Sequence, residues 1–189
     1  MEFLHSLIEY DKQLLLFLHS KGSVTWDIFW LFITNPLNWI PLFFLLFYLV
    51  YTIYDFKKTF FICLLTFIAG FLSLTTVNII KNFIQRKRPI NDESINETLR
   101  ILIEQNDFSF VSGHSTVSFT IAFISFWILK KNYKYAFLIF LFPILFAYSR
   151  IYLAAHYPID ILVGMLLGYI FAFIFYRLIK KLILKQKTT

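Results

Sequence analysis

Three stretches of the 189-residue chain place charged, nucleophilic and small residues at spacings that suit chemistry on an anion. The first is Lys81-Asn-Phe-Ile-Gln-Arg-Lys-Arg88-Pro89. Seven residues are nearly two helical turns, so Lys81 and Arg88 are expected on one helix face, with Pro89 stopping the helix. Two cations on one face match a phosphate dianion, Arg as a planar fork and Lys as a point charge. They equally fit a lipid-headgroup anchor, and this stretch alone leaves both roles open.

The second stretch is Phe110-Val-Ser112-Gly113-His114-Ser115, where a polar loop enters an apolar run. Ser112 suits a helix N-cap, Gly113 lets a ligand approach the backbone, and the free N–H groups of a helix start attract anions. His114 falls in the first turn, beside any such anion. A capped helix with an interfacial histidine accounts for the same residues. The third stretch runs from Ser149-Arg150 through His156 to Asp160. Asp160, four residues after His156, is expected to reach back to the imidazole. A carboxylate fixes one ring nitrogen as a donor and leaves the other as a nucleophile. A purely structural His–Asp pair leaves Arg150 unexplained.

These residues need elements to carry them. Apolar residues make up 59% of the chain, with 25 Phe, against about 45–50% in ordinary soluble domains even with Gly counted. Lipid is therefore the expected solvent. A spanning helix needs about 20 mostly apolar residues. Runs of that kind give an all-α polytopic membrane bundle with about five transmembrane helices, at 36–54, 59–80, 110–129, 134–150 and 157–177. Residues 3–20 mix Leu and Phe with charges and read as an interfacial helix, followed by a short flat one at 24–34. His5 and His19 read as interfacial. A six-span alternative, with 14–34 crossing, puts Lys21 and Asp27 inside lipid. The chain reads as one domain: interfacial helices over 1–35, a catalytic bundle over 36–180 and a basic tail over 181–189. The loop 91–107 is acidic, and its apolar positions Ile95, Leu99, Leu102 and Ile103 predict a short amphipathic helix. No basic segment precedes an apolar stretch at the N-terminus, so no cleavable signal peptide is expected. The single Cys63 forms no internal disulfide, and no metal-type cysteine spacing occurs.

With five spans, one side carries ten Lys or Arg (57, 58, 130, 131, 134, 177, 180, 181, 185 and 187) and one acid, Asp55; the other carries eight basic and ten acidic residues. The basic side is expected to be cytoplasmic in a cell (inner) membrane. The net charge of +7 is thus explained by topology rather than by nucleic-acid binding. All three stretches then fall together at span ends on the extracytoplasmic side. Between them they offer three cations, an anion-binding helix start, a nucleophile with its orienter, and a second histidine as acid. That set is complete for phosphoryl transfer through a covalent phosphohistidine.

The stretches resemble the signature motifs of the type 2 phosphatidic acid phosphatase superfamily: Lys-x6-Arg-Pro, Pro-Ser-Gly-His and Ser-Arg-x5-His-x3-Asp. Lys81–Pro89 and Ser149–Asp160 match throughout; the middle motif has Val111 where the family has Pro. The resemblance implies a metal-independent, cofactor-free phosphatase. Lys81, Arg88 and Arg150 would hold the phosphate oxygens with Ser112 and the Gly113 backbone. His156 would attack phosphorus, Asp160 would orient it, and His114 would protonate the leaving oxygen. Candidate substrates are undecaprenyl diphosphate, which is slightly favoured, phosphatidic acid, phosphatidylglycerol phosphate and lipid A phosphate. The bilayer and this lipid are the expected partners, and no obligate protein partner is implied. A non-catalytic lipid-phosphate binder or transporter is the alternative, but would not need His114, His156 and Asp160 together. A vanadium haloperoxidase shares such a site, but the spans argue against it.

Overall fold

A computed structural model of the chain describes residues 2–184. Among these described residues seven α-helices follow in order: α1 (Glu2–His19), α2 (Val24–Thr34), α3 (Ile40–Tyr51), α4 (Phe56–Ile84), α5 (Gly113–Leu129), α6 (Leu141–Tyr152) and α7 (Pro158–Ile179). A 3₁₀ turn (Pro36–Trp39) leads into α3, another (Ala136–Phe140) leads into α6, and α7 runs on into a π turn (Lys180–Leu184). No strand occurs among the described residues. Residues 185–189 of the expected tail lie outside them.

The expected spans appear as five apolar rods. α4 and α7 are long and apolar enough to cross a membrane outright; α5 and Ala136–Tyr152 are shorter apolar rods. α2 and Pro36–Tyr51 form a pair bent by 69°. The six-span alternative fails because the chain turns between His19 and Val24, so 14–34 is not one helix. At the bend, side chains replace the interrupted backbone bonds. Asn35 accepts from Leu37 N (3.0 Å), Asn38 Nδ2 donates to Phe32 O (2.8 Å) and Trp39 Nε1 to Ile33 O (2.9 Å). Such replacement is needed where water is scarce.

The other helix starts follow from local chemistry. Asp55 caps α4 by accepting from Lys58 N (2.9 Å), Ser112 caps α5 by accepting from Ser115 N (3.3 Å), and Pro158 occupies the first turn of α7. α5 packs against α7 through Gly164 and Gly168. A Cβ on Gly168 would stand 2.6 Å from Thr116 O, and one on Gly164 2.8 Å from Ser112 O. Small residues four apart let two membrane helices approach to backbone contact. Large side chains such as Phe67, Phe71 and Phe83 point outward, exposed as on a lipid-facing surface.

Tyr54, Tyr133 and Tyr176 pack on one apolar core, so the basic junctions gather at one end of the bundle. The ends of α4 and α6 and the starts of α5 and α7 meet at the other. A second apolar cluster closes that other end: Leu15 of α1 packs with Ile90, Ile95, Leu99, Ile151 and Tyr157.

Three expectations need correction. α4 ends at Ile84, and Gln85 adopts a left-handed conformation (φ 53°) that turns the chain. Residues 85–88 are not helical, so Lys81 and Arg88 meet across a turn and not along a helix face. The loop 91–107 holds no α-helix; one 3₁₀ turn (Pro89–Asn91) ends at its start and another spans Asn96–Thr98. Ile95 and Leu99 are buried as their spacing implies, but Asp92 bonds Ser94 N (3.1 Å) and Ser94 Oγ (2.7 Å), giving the backbone an alternative to helix. Finally, α1 is more than a surface helix: Asp11, Leu15 and His19, four residues apart, are buried as one stripe. His19 bonds Tyr152 O through Nδ1 (2.8 Å) and accepts from Arg100 N through Nε2 (3.0 Å), so it is a buried clamp and not an interfacial residue.

Candidate active site

The turn at Gln85 brings the end of α4 over the starts of α5 and α7. Lys81 Nζ donates to Asp107 Oδ2 (2.6 Å) and Phe108 O (2.7 Å). Arg88 grips the same carboxylate at Oδ1 through Nη2 (2.7 Å) and Nε (3.0 Å). Arg150, from the last turn of α6, donates to Gln105 Oε1 (2.9 Å) and Thr34 Oγ1 (2.6 Å). All three expected cations thus converge, and residues 105–107 supply acceptors to each. Asp107, at the end of the acidic 91–107 loop, bridges Lys81 and Arg88. Its carboxyl is held at about 2, because its bonds to Lys81 and the charge of Arg88 outweigh the opposing effect of its partial burial.

His156, in the buried turn between α6 and α7, points into this cluster. Arg88 Nη1 donates to Ala155 O and lies 3.2 Å from His156 Nε2. A guanidinium has no acceptor, so Nε2 must present its lone pair, and a neutral ring carries its proton on Nδ1. Burial pushes the imidazole well below its ordinary value, with the charges of Arg88, Arg150 and Lys81 adding to the effect. The ring is therefore neutral, with its lone pair facing the cations.

Asp160 lies as expected on the Nδ1 side, with Oδ2 at 3.5 Å. Its stronger contacts are with residues that the motif spacing did not single out. Arg86 Nη1 donates to Asp160 Oδ1 (2.7 Å), Ser109 Oγ donates to Oδ2, and Tyr157 N donates to Oδ2 (3.0 Å). Arg86 Nη2 binds Asp11 Oδ2 of α1 (2.7 Å), and Asp11 Oδ1 accepts from Ile159 N (2.9 Å) in the first turn of α7. Among the described residues, Arg150 Nε and His156 Nδ1 are the buried side-chain nitrogens without a hydrogen-bond partner. Each such group costs about 1–3 kcal/mol, and both belong to this site.

Ser112 is fully buried; its N–H donates to Asp160 O (3.1 Å), which ties the start of α5 to that of α7. Helix geometry leaves the N–H groups of Gly113 and His114 without intrahelical partners. A Cβ on Gly113 would meet Leu74 at 3.2 Å, so this glycine also lets α4 pack closely. His114 is half-buried with its ring 4.7 Å from that of Phe146, near enough to Arg150, His156 and Arg88 to feel their charges. Phe146 and Leu74 also line an apolar cavity of about 320 Å³ beneath the site. A second, of about 660 Å³, continues between α3 and α4 and shares Phe43, Phe67 and Ile121 with the first. The arrangement offers an oxyanion cradle, a ring nitrogen beside it, a second histidine near by, and an apolar groove leading away.

Comparison with known proteins gives concordant results. The PAP2 superfamily profile matches residues 59–184, from α4 to the π turn. Over 188 residues the chain is 27% identical to the lipid A 4'-phosphatase of Bacteroides thetaiotaomicron, covering 96% of this chain and 81% of that protein. Its fold is similar to that of the transmembrane PAP2 type phosphatidylglycerolphosphate phosphatase from Bacillus subtilis, with a TM-score of 0.71 at 19% identity, covering 94% of this chain and 88% of that one. Aquifex aeolicus LpxE gives a TM-score of 0.66 at 26% identity, covering 87% and 93%.

Proposed function

The chain belongs to the PAP2 superfamily and is a membrane lipid phosphatase; we propose that it works through a phosphohistidine on His156, at the extracytoplasmic face of a bacterial inner membrane. Nε2 of His156 attacks phosphorus while Lys81, Arg88 and Arg150, with the Gly113 and His114 N–H groups, hold the phosphoryl oxygens. The bond from phosphorus to the lipid oxygen breaks, and His114 gives that oxygen a proton. Asp160 stabilises the positive charge that forms on the His156 ring. Water then attacks the phosphohistidine, with His114 accepting its proton, and inorganic phosphate leaves as His156 returns to its neutral form. Preorganised cations in a water-poor site supply the stabilisation that such a transition state needs.

The observation that carries this reading is the Asp107 carboxylate. An oxyanion is held by Lys81 and Arg88 beside the unprotonated Nε2 of His156. A phosphate entering that cradle meets the nucleophile. Metal independence is part of this reading, because Lys81, Arg88 and Arg150 supply the positive charge that a metal would otherwise bring. The apolar groove below Phe146 suits the tail of a lipid whose headgroup enters the site. Lipid A phosphate is the lead substrate, because the lipid A 4'-phosphatase aligns with 96% of the chain; undecaprenyl diphosphate, phosphatidic acid and phosphatidylglycerol phosphate complete the panel.

Purified protein in detergent should release phosphate from one or more of these lipids, keep its activity in EDTA, and be inhibited by vanadate, a transition-state mimic. Release that survives His156→Ala, or that vanishes in EDTA and returns with Mg²⁺, would overturn the mechanism. For the membrane face, Ser94→Cys in a Cys63→Ser background should react with an impermeant thiol reagent in intact cells. Labelling only after lysis would place the site on the other side.

A further inference from the structure

Arg86 stands two residues before Arg88 but makes a different kind of contact. Both ends of its guanidinium are taken by carboxylates, Asp160 Oδ1 and Asp11 Oδ2, each at 2.7 Å. The side chains of both acids are 0% exposed, and that of Arg86 is 21% exposed. The guanidinium carbon lies 3.8 Å from the centre of the Tyr157 ring, the residue after His156. The Arg86 carbonyl accepts from Ser109 N (2.8 Å), whose hydroxyl in turn donates to Asp160. A buried ion pair is weak support for stability, since well-packed apolar residues serve as well. What this one fixes is direction: Arg86 draws Oδ1 of Asp160 to itself, which leaves Oδ2 turned toward His156 Nδ1 at 3.5 Å.

We propose that Arg86 is a positioning residue for the nucleophile, clamping the Asp160 carboxylate against His156, and that Asp11 on α1 holds the clamp from the other side. This rests on the reading of His156 as nucleophile and Asp160 as its partner. It gives α1, which lies outside the stretch matched by the family profile, a direct part in the catalytic geometry. Because both of its terminal nitrogens already serve sealed carboxylates, Arg86 is assigned to Asp160 rather than to phosphate. Without Arg86, the two buried acids face each other unbalanced and one takes up a proton. Asp160 then loses the contact that orients it.

The test uses the full-length protein in detergent with the best lipid phosphate from the panel. Arg86→Met should lower kcat by about 10²-fold, the order expected when a reacting group is misplaced. KM and the vanadate inhibition constant should stay within about threefold, since the phosphate cradle is untouched. Arg86→Lys, which keeps the charge, should recover part of kcat. Combining Arg86→Met with Asp160→Asn should lower kcat no further than the worse single change, because both act through one carboxylate. If Arg86→Met fails to fold, the pair Asp11→Asn with Arg86→Met, which removes the unbalanced charge, should fold and show the same loss of kcat. Near-normal kcat in a folded Arg86→Met protein, or losses that multiply with Asp160→Asn, would overturn the proposal. His156→Ala runs alongside: activity surviving that change would instead sink the reading on which the proposal rests.

Discussion

Two clusters of cations and carboxylates sit side by side in the upper half of this bundle, and they are built to opposite ends. In one, Lys81 and Arg88 hold Asp107, whose side chain is 59% exposed on a loop. In the other, Arg86 holds Asp11 and Asp160, both fully buried on helices. The distances are nearly equal, but the first cluster sets two cations on one anion and the second sets one cation between two anions. The difference lies in whether the anion can leave. An exposed carboxylate on a loop can swing out to water and be exchanged for a phosphate, which keeps the buried cations Lys81 and Arg88 paired. Sealed carboxylates on packed helices cannot be exchanged, so their cation serves as scaffold. Arg86 and Arg88 thus separate into frame and cradle although they are two residues apart.

The largest effect expected belongs to the atom on which both clusters converge. His156→Ala should abolish turnover of every substrate, p-nitrophenyl phosphate included, in phosphate-release assays. Measurable turnover of the aryl substrate by that variant would remove His156 as nucleophile. His114→Ala should lose about 10²–10⁴-fold on an alkyl phosphate lipid, the range for a lost general acid. It should lose less on p-nitrophenyl phosphate, whose leaving group needs no proton. Equal losses on both would deny His114 the acid role.

The cradle side of the comparison predicts that Lys81→Ala, Arg88→Ala and Arg150→Ala each cost about 10²–10³-fold in kcat/KM, the scale of one lost oxyanion donor. The proteins should remain folded. The same cations, after burial, hold His156 below its ordinary value. The acid limb of kcat/KM should therefore lie below the ordinary histidine pKa of about 6.5. Arg88→Ala removes a charge that opposes protonation and should move that limb upward. A wild-type limb at or above the ordinary value would contradict the account of a neutral, cation-facing ring.

The smallest effect sharpens the comparison most. Asp107→Asn removes a charged competitor for the cradle and should tighten vanadate inhibition by up to about tenfold, the equivalent of about 1.4 kcal/mol of lost competition. Asp11→Asn should leave vanadate binding unchanged while lowering kcat. If both variants shift vanadate binding alike, the division into frame and cradle is wrong.

Much of the cradle was legible in the sequence, because motif spacing survives changes in local conformation. Lys81, Arg88, Ser112, His114, Arg150 and His156 gather at one end of the bundle although the helix expected to align the first two stops at Ile84. The frame was not legible, for the same reason. On a continuous helix Arg86 would point away from the face of Lys81; only the left-handed turn at Gln85 sends it to Asp160. Asp11 reaches the site from a helix about 75 residues earlier in the chain, a contact that no periodicity encodes. The pairing of α5 with α7 has a readable signal, the Gly164-x3-Gly168 spacing inside an apolar run. In the loop 91–107, apolar spacing revealed the burial of Ile95 and Leu99 but not the backbone, which side-chain bonds from Asp92 draw out of helix.

The central claim is that phosphate entering the cradle is transferred to Nε2 of His156. It is tested most directly by mixing wild-type protein with a lipid labelled in its phosphate, stopping the reaction within one turnover in alkaline detergent, and mapping the label by peptide mass spectrometry. The account predicts an acid-labile phosphohistidine at His156, absent from His156→Ala. Label on His114 or any other side chain, or full turnover with no labelled protein at any time, would contradict it.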